Sequence, residues 1–324
     1  MDLFQLIDDI AQADPEVYAR FDSRRATFRH FLGFGRKFSA AALPVVLSTL
    51  FTKVYGQTTT LPQAVKDVLN LALQLEYLEF YFYDTALNSP ALMLSSDENK
   101  SLTTIRNDEQ LHINTLRTAL GTAASTLTRN NFDYTGSQGQ TRAALFAGLG
   151  APTTGLFTDR TAFFTVAQLL EDTGVRAYKG AVPSLNIGTT QDAVKDLLEV
   201  ALNIHSVEAR HAARIRSLRR GGVQSITAPK SWITPDETTN ALALPNNAVP
   251  NTPATVSPYL AGSPAATFPA ESNVLQGPAA RNVQTLTTGV SGTAGAEAFD
   301  EPLDAPTAKA IAKNFVTTPS LFFN

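Results

Sequence analysis

Two short motifs pair a carboxylate with an imidazole three residues on: Glu109–His112 in DEQLH and Glu208–His211 in VEARH. Random placement of 12 Glu and four His among 324 residues yields fewer than one such pair. On an α-helix, residues three apart are neighbours one turn along, so these two side chains converge on adjacent points. Two more glutamates stand where apolar residues are expected. Glu76 is seven residues from both Leu69 and Tyr83, and Glu171 falls beside Phe163, Ala167, Leu170 and Gly174. An unpaired buried carboxylate costs several kcal/mol. Four helices that each turn a Glu inward therefore need a shared counter-charge, and a metal ion supplies one. One Glu from each of two helices plus Glu-x-x-His from each of two others is the ligand set of di-iron and di-manganese carboxylate bundles. Oxygen and imidazole donors without sulfur suit Fe or Mn. The expectation is two Fe or Mn ions held by Glu76, Glu109, His112, Glu171, Glu208 and His211. The competing expectation is a bundle whose acids and histidines pair with one another.

Other residues bear on the same centre. Glu79 is seven from Ala72 and Ala86, so it too points inward and could replace Glu76 or support a ligand from behind. Tyr83 follows Glu76 by seven and Tyr178 follows Glu171 by seven. Each phenol, with Tyr77 and Tyr81, could hydrogen-bond a ligand carboxylate, carry a radical or simply pack. Gly174 either opens a channel or allows close helix packing. His205, three before Glu208, either supports a ligand or faces solvent. Arg210, Arg214, Arg216, Arg219 and Arg220 read as a solvated helix end, suited to the negative pole of the dipole.

Four helices must position these groups. Apolar residues recur at steps of three and four from Val65 to Ala86, between Pro62 and Pro90. They recur again over about 97–120, where Gly121 is a natural stop, over 159–180, closed by Pro183, and over 190–220, ended by Gly221–Gly222. The first two helices, and the last two, are joined by short links that make antiparallel neighbours. A long connection separates the pairs. Two hairpins joined by one long crossover is the ferritin-like variant of the four-helix bundle. The expected fold is all-α, with this bundle at 58–221, an N-terminal arm or signal at 1–57 and an extended Pro-rich C-terminal tail at 222–324.

The tail carries 12 of the 18 prolines. Trp232, Tyr259, Phe268, Phe299, Phe315, Leu321, Phe322 and Phe323 are candidate anchors along it, and only 305–315 reads as a short helix. The tail is expected to wrap the bundle or a neighbouring subunit, so that arm or tail would drive homo-oligomer formation. In the N-terminal segment, SRRATFRHFLGFGRKF (23–38) precedes the apolar stretch SAAALPVVLSTLF (39–51). Arg24 and Arg25 before that stretch resemble a twin-arginine export signal; the alternative is a retained amphipathic arm holding His30. Export to the periplasm or beyond follows from the first reading and a cytoplasmic location from the second.

Composition narrows the chemistry. Hydrophobic residues make up 44% and charged residues 17%, enough to bury a sizeable core. The net charge of −3 gives no basic footprint for nucleic acid. The chain has no cysteine, which excludes disulfides, thiolate nucleophiles, thiolate zinc sites and thiolate-held iron–sulfur clusters. No apolar run is long enough to span a membrane.

The segments LNLALQLEYLEFYFYDTAL (69–87), DEQLH (108–112), LLEDTGVRAYKGAV (169–182) and SVEARHAARIR (206–216) resemble the ferritin-like domain family, including its plant desiccation-related proteins and their bacterial relatives. The resemblance covers roughly 60–221. It implies a ferritin-like bundle with a di-metal centre but no settled reaction. Two functions are expected to compete. One is a di-metal oxidoreductase that meets dioxygen or peroxide, oxidising Fe(II) or removing peroxide in stress protection. The other is a structural or stress-protective scaffold in which the bundle does no catalysis. Iron storage would need a hollow shell, of which the tail gives no sign.

Overall fold

The computed structural model describes residues 61–145, 155–186, 192–222, 229–235, 257–286 and 288–320, with the side chains of 192–195 excepted. The twin-arginine segment, His30 and the anchors Leu321, Phe322 and Phe323 lie outside the described residues.

Four long helices form the frame. Helix α1 spans Gln63–Leu87 and starts at Pro62, whose fixed φ of −54° suits a helix entry. Helix α2 spans Ser96–Leu120 and begins with a capping box. The Glu98 amide donates to Ser95 Oγ (3.3 Å) and the Ser95 amide to Glu98 Oε2 (2.8 Å). Gly121, at φ 57°, ends it as the sequence suggests. Helix α3 spans Arg160–Leu185, capped by the Asp159 side chain, which accepts from the Ala162 amide at 3.0 Å. Helix α4 spans Asp192–Arg219.

Pro183 does not close α3, contrary to expectation. It sits inside the last turn. There its ring removes only the bond to the residue-179 carbonyl, and the Asn186 amide still reaches the Val182 carbonyl at 2.9 Å.

Helix α1 packs on α2 and α3 on α4; the two hairpins meet through α1–α3 and α2–α4. The core between them holds Val65, Leu73, Leu78, Phe82, Leu102, Ile105, Phe163, Val166 and Ile215. Phe82 and Phe163 stack at 4.9 Å across the hairpins. The crossover between α2 and α3 returns over the bundle, where the Tyr134 hydroxyl donates to the Leu78 carbonyl at 2.8 Å. Among the described residues no helix is long and apolar enough to cross a membrane.

The C-terminal region packs on this frame. It adds the hairpin β1 (Leu275–Gln276) and β2 (Arg281–Asn282), with Leu275 opposite Asn282, and the short helices α5 (Gly292–Glu297) and α6 (Ala305–Ala312). Helix α6 contacts α3 and α1. The Asp133 amide donates to the Phe315 carbonyl at 2.7 Å and the Thr317 amide to the Asn131 carbonyl at 2.9 Å, which stitches the tail to the crossover.

Arg176 of α3 is the main anchor. It is fully buried and donates to the carbonyls of Leu260 (3.0 Å), Pro269 (2.7 Å), Glu301 (2.9 Å), Pro302 (3.0 Å) and Pro258. Its Nε also lies 2.7 Å from Glu271 Oε1. A Pro-rich chain has few amides to donate but a full set of carbonyls to accept, and one guanidinium gathers them. Gly180 allows the approach, since a Cβ there would strike the Leu303 carbonyl oxygen. Of the expected aromatic anchors, Tyr259 and Phe315 are buried, whereas Trp232 and Phe299 are exposed at 50% and 40%. The carbonyl network, more than aromatic rings, holds this chain.

Candidate metal centre

Midway along the bundle, four carboxylates of 0% exposure meet: Glu76 from α1, Glu109 from α2, Glu171 from α3 and Glu208 from α4. His112 and His211, also buried, lie beside them with ring centroids 6.3 Å apart. Each helix delivers its group by the periodicity that builds its core face, so each apolar stripe carries a ligand acid inward.

The six residues fall into two overlapping groups whose donor atoms lie within 4.8 Å of one another. One is Glu76, Glu109, His112 and Glu208; the other is Glu109, Glu171, Glu208 and His211. Glu109 and Glu208 belong to both. The two oxygens of Glu109 divide between the histidines: Oε2 is 3.0 Å from His112 Nδ1, and Oε1 is 2.9 Å from His211 Nδ1. His112 Nδ1 also approaches Glu76 Oε2 at 3.0 Å and Glu208 Oε1 at 3.4 Å. His211 Nδ1 approaches Glu171 Oε2 at 3.5 Å.

Residues 64–220 match the family model of the ferritin-like domain. The four-helix bundle has the ferritin-like fold. No curated protein matches the chain, and no solved structure does.

The ferritin-like domain repeats its site once. Glu76 and Tyr83 on α1 correspond to Glu171 and Tyr178 on α3, and Glu109 and His112 on α2 to Glu208 and His211 on α4. The phenols cross between the hairpins. Tyr83 donates to Glu171 Oε1, and Tyr178 donates to Glu76 Oε1. One oxygen of each outer glutamate is thus fixed from behind, and the other faces the histidine of its group. Tyr77 and Tyr81 stand away from the centre: the Tyr77 hydroxyl accepts from Arg117 at 2.6 Å, and the Tyr81 hydroxyl donates to the Leu127 carbonyl at 3.4 Å.

Glu79 is buried beside the centre but belongs to neither group. Its counterpart on α3 is Gly174. A Cβ on Gly174 would come within 2.8 Å of Glu208 Oε2 and 3.4 Å of Glu79 Oε1. The glycine therefore makes room for carboxylate tips, which is neither the channel nor the simple close packing expected of it. His205 also stands apart, with Nδ1 3.0 Å from the Val175 carbonyl.

Electrostatics show how unsettled this cluster is with protein groups alone. Burial pushes Glu76 up to about 7, although His112 beside it pulls the other way. Burial, then the neighbouring Glu208, Glu109 and Glu171, lift Glu79 well above the carboxylate range. Burial and Glu109 do the same to Glu208, and burial lifts Glu171 against the pull of His211. Glu109 goes the other way: burial would raise it, but His112 and His211 together outweigh that and hold it low. Burial lowers both histidines, yet the carboxylates around them, led by Glu76 for His112 and by Glu171 for His211, raise them well above their ordinary value.

The residues fit bound metal on a second, geometric ground. Glu109 Oε1, Glu171 Oε2, both oxygens of Glu208 and His211 Nδ1 are buried without a hydrogen bond. His211 Nδ1 and Glu109 Oε1 are close in distance but lack hydrogen-bond alignment. Buried polar atoms are seldom left so. These five belong to four residues that converge on the same small volume.

Three elements of the surroundings escape sequence reading. His211 Nε2 lies 3.2 Å from Asp108 Oδ2, on its side away from the centre. Asp172, the residue after Glu171, holds Arg216 through two 2.6 Å bonds and accepts from the Tyr259 hydroxyl at 2.7 Å. Arg216 is thus fully buried rather than part of a solvated helix end, and the Arg219 guanidinium donates to Gln168. Arg176 is the third. The adjacency of Asp108 to Glu109 and of Asp172 to Glu171 was the only local signal.

Proposed function

We propose that the ferritin-like domain holds two Fe or Mn ions and uses them to oxidise Fe(II) or to remove peroxide, in stress protection. In this reading Glu109 and Glu208, common to both groups, would serve both ions, Glu76 with His112 would complete one position, and Glu171 with His211 the other. The observation that carries it is the set of buried, unbonded atoms on Glu109, Glu171, Glu208 and His211. The two ions would supply one-electron redox chemistry toward dioxygen or peroxide.

The protein's own part is positioning and enclosure. Tyr83 and Tyr178 fix the outer oxygens of Glu171 and Glu76, so each glutamate offers its inner oxygen. The packed helices exclude bulk water. An apolar cavity of about 290 Å³, lined by Leu69, Leu75, Ala177, Leu185 and Leu303 among others, has Tyr178 in its wall. The stress-protective setting rests on the resemblance to desiccation-related relatives.

The test is element-resolved metal content of the protein purified without added metal, beside the Glu109→Ala/His211→Ala variant. About two Fe or Mn per chain, lost in the variant, is expected, followed by Fe(II)-oxidation or peroxide-removal activity. If neither sample takes up Fe(II) or Mn(II) on reconstitution, the reading fails and a non-catalytic scaffold is left.

A further inference from the structure

The repeat that builds the centre is broken at one position with a direct bearing on the histidines. Asp108 stands immediately before Glu109 on α2 and reaches across to His211 on α4. The equivalent residue before Glu208 on α4 is Val207, which under the same two-fold relation would face His112 on α2. Asp108 and Val207 are both half-buried, so the positions are alike in exposure and differ in chemistry. Valine offers His112 no acceptor. No described residue hydrogen-bonds His112 through Nε2, whereas His211 is held there by Asp108 while its Nδ1, without a hydrogen bond, is turned toward Glu109 and Glu171.

A carboxylate behind a ligating imidazole fixes its tautomer with the proton on the outer nitrogen. It also restrains the ring and makes the inner nitrogen a better donor. Removing such a partner weakens metal binding by about 10–100-fold.

We infer that the two metal positions are unequal: the one completed by Glu171 and His211 binds first and more tightly, because Asp108 holds the outer nitrogen of His211 and no described residue holds that of His112. This rests on the two-ion reading proposed above. Asp108 is a positioning residue here, acting through His211.

The test is a titration of the metal-free full chain with Mn(II), read by calorimetry and by electron paramagnetic resonance. Two dissociation constants separated by about 10–100-fold are expected. The spectrum of an isolated Mn(II) should appear over the first equivalent and give way to that of a coupled pair over the second. Asp108→Asn should weaken the tighter constant toward the other and leave the stoichiometry at two. Val207→Asp should tighten the weaker one. Two equal constants in the native chain, or an Asp108→Asn variant that weakens both alike, overturn the inference while leaving the two-ion reading intact. Absence of binding of Mn(II) and, in a parallel anaerobic titration, of Fe(II) overturns both. Val207→Asp keeps the question decidable should Asp108→Asn misfold, since failure to tighten either position counts against the inference.

Discussion

Replacing Gly174 by alanine separates stability from metal binding in a way few substitutions here can. In a helix interior the change favours folding by about 1 kcal/mol. Against that, the new methyl would stand 2.8 Å from Glu208 Oε2, where ordinary contact begins near 3.4 Å. Overpacking a rigid core costs about 1–3 kcal/mol. The obstacle here is the tip of a carboxylate, so it can retreat by the difference, 3.4 − 2.8 = 0.6 Å. The two contributions nearly cancel, and the melting temperature should move by no more than about 4 °C. Metal binding has no such compensation. A retreat of 0.6 Å exceeds the roughly 0.5 Å tolerance of a binding constellation. Glu208 also belongs to both groups, so both positions suffer. Binding of Mn(II) or Fe(II) should weaken by at least about 10-fold, the lower end of what disturbed ligand support produces. The assay is thermal denaturation of the metal-free variant beside calorimetric metal titration. A variant that binds two ions with native affinity would refute the reasoning about Glu208. A fall in melting temperature of more than about 10 °C would refute the claim that the carboxylate yields.

Three other outcomes follow from the same geometry. Arg176→Met should destabilise the chain by about 3–5 kcal/mol, because it strips five carbonyls of their donor and leaves Glu271 buried without its partner; urea unfolding measures this, and limited proteolysis should cut first within 257–304. Tyr178→Phe should leave the melting temperature nearly unchanged yet weaken the Glu76 position selectively, and an equal loss at both positions in a metal titration would count against the crossed arrangement of phenols. The metal-free protein should lose stability as pH rises from about 5 to 8: Glu76 is raised from 4.5 to about 7, so the folded state keeps a proton that the unfolded state releases, worth roughly 3 kcal/mol across that window. The raised histidines act in the same direction, their contribution being full below 6.5 and lost above it. Metal-loaded protein should show a flatter or opposite dependence in a melting series, since ions replace protons on the same atoms.

What could be read from the sequence follows from how far away each residue's determinant lies. The six converging side chains were legible because their placement depends on helical periodicity alone: a Glu seven residues from Leu69 and Tyr83 must share their face, whatever the rest of the chain does. The crossover was legible for a similar reason, as a long gap between two short-linked hairpins admits few layouts. Glu79 marks the boundary. Periodicity turns it inward as firmly as Glu76, and only the assembled bundle sets it outside both groups.

The arginines on α3 and α4 go further. Arg216 reads as solvated because basic residues near a helix end usually are, and the composition of α4 gives no hint of a partner. Its burial depends on Asp172 of α3 and on Tyr259, which the tail brings in from beyond the bundle. Arg176 likewise has a function only once a chain too rich in proline to form its own ladder lies against it. The tail's prolines, read as evidence of an extended chain without a core, are the reason for a buried arginine: carbonyls left unpaired by missing amides need a donor from the helices. That reciprocity ties the tail to α3 within two turns of Glu171. Release of the tail should therefore be felt at the centre through Asp172 and Arg216, and Tyr259→Phe, which removes one hydroxyl from that network, is the mildest substitution with which to look for it by metal titration.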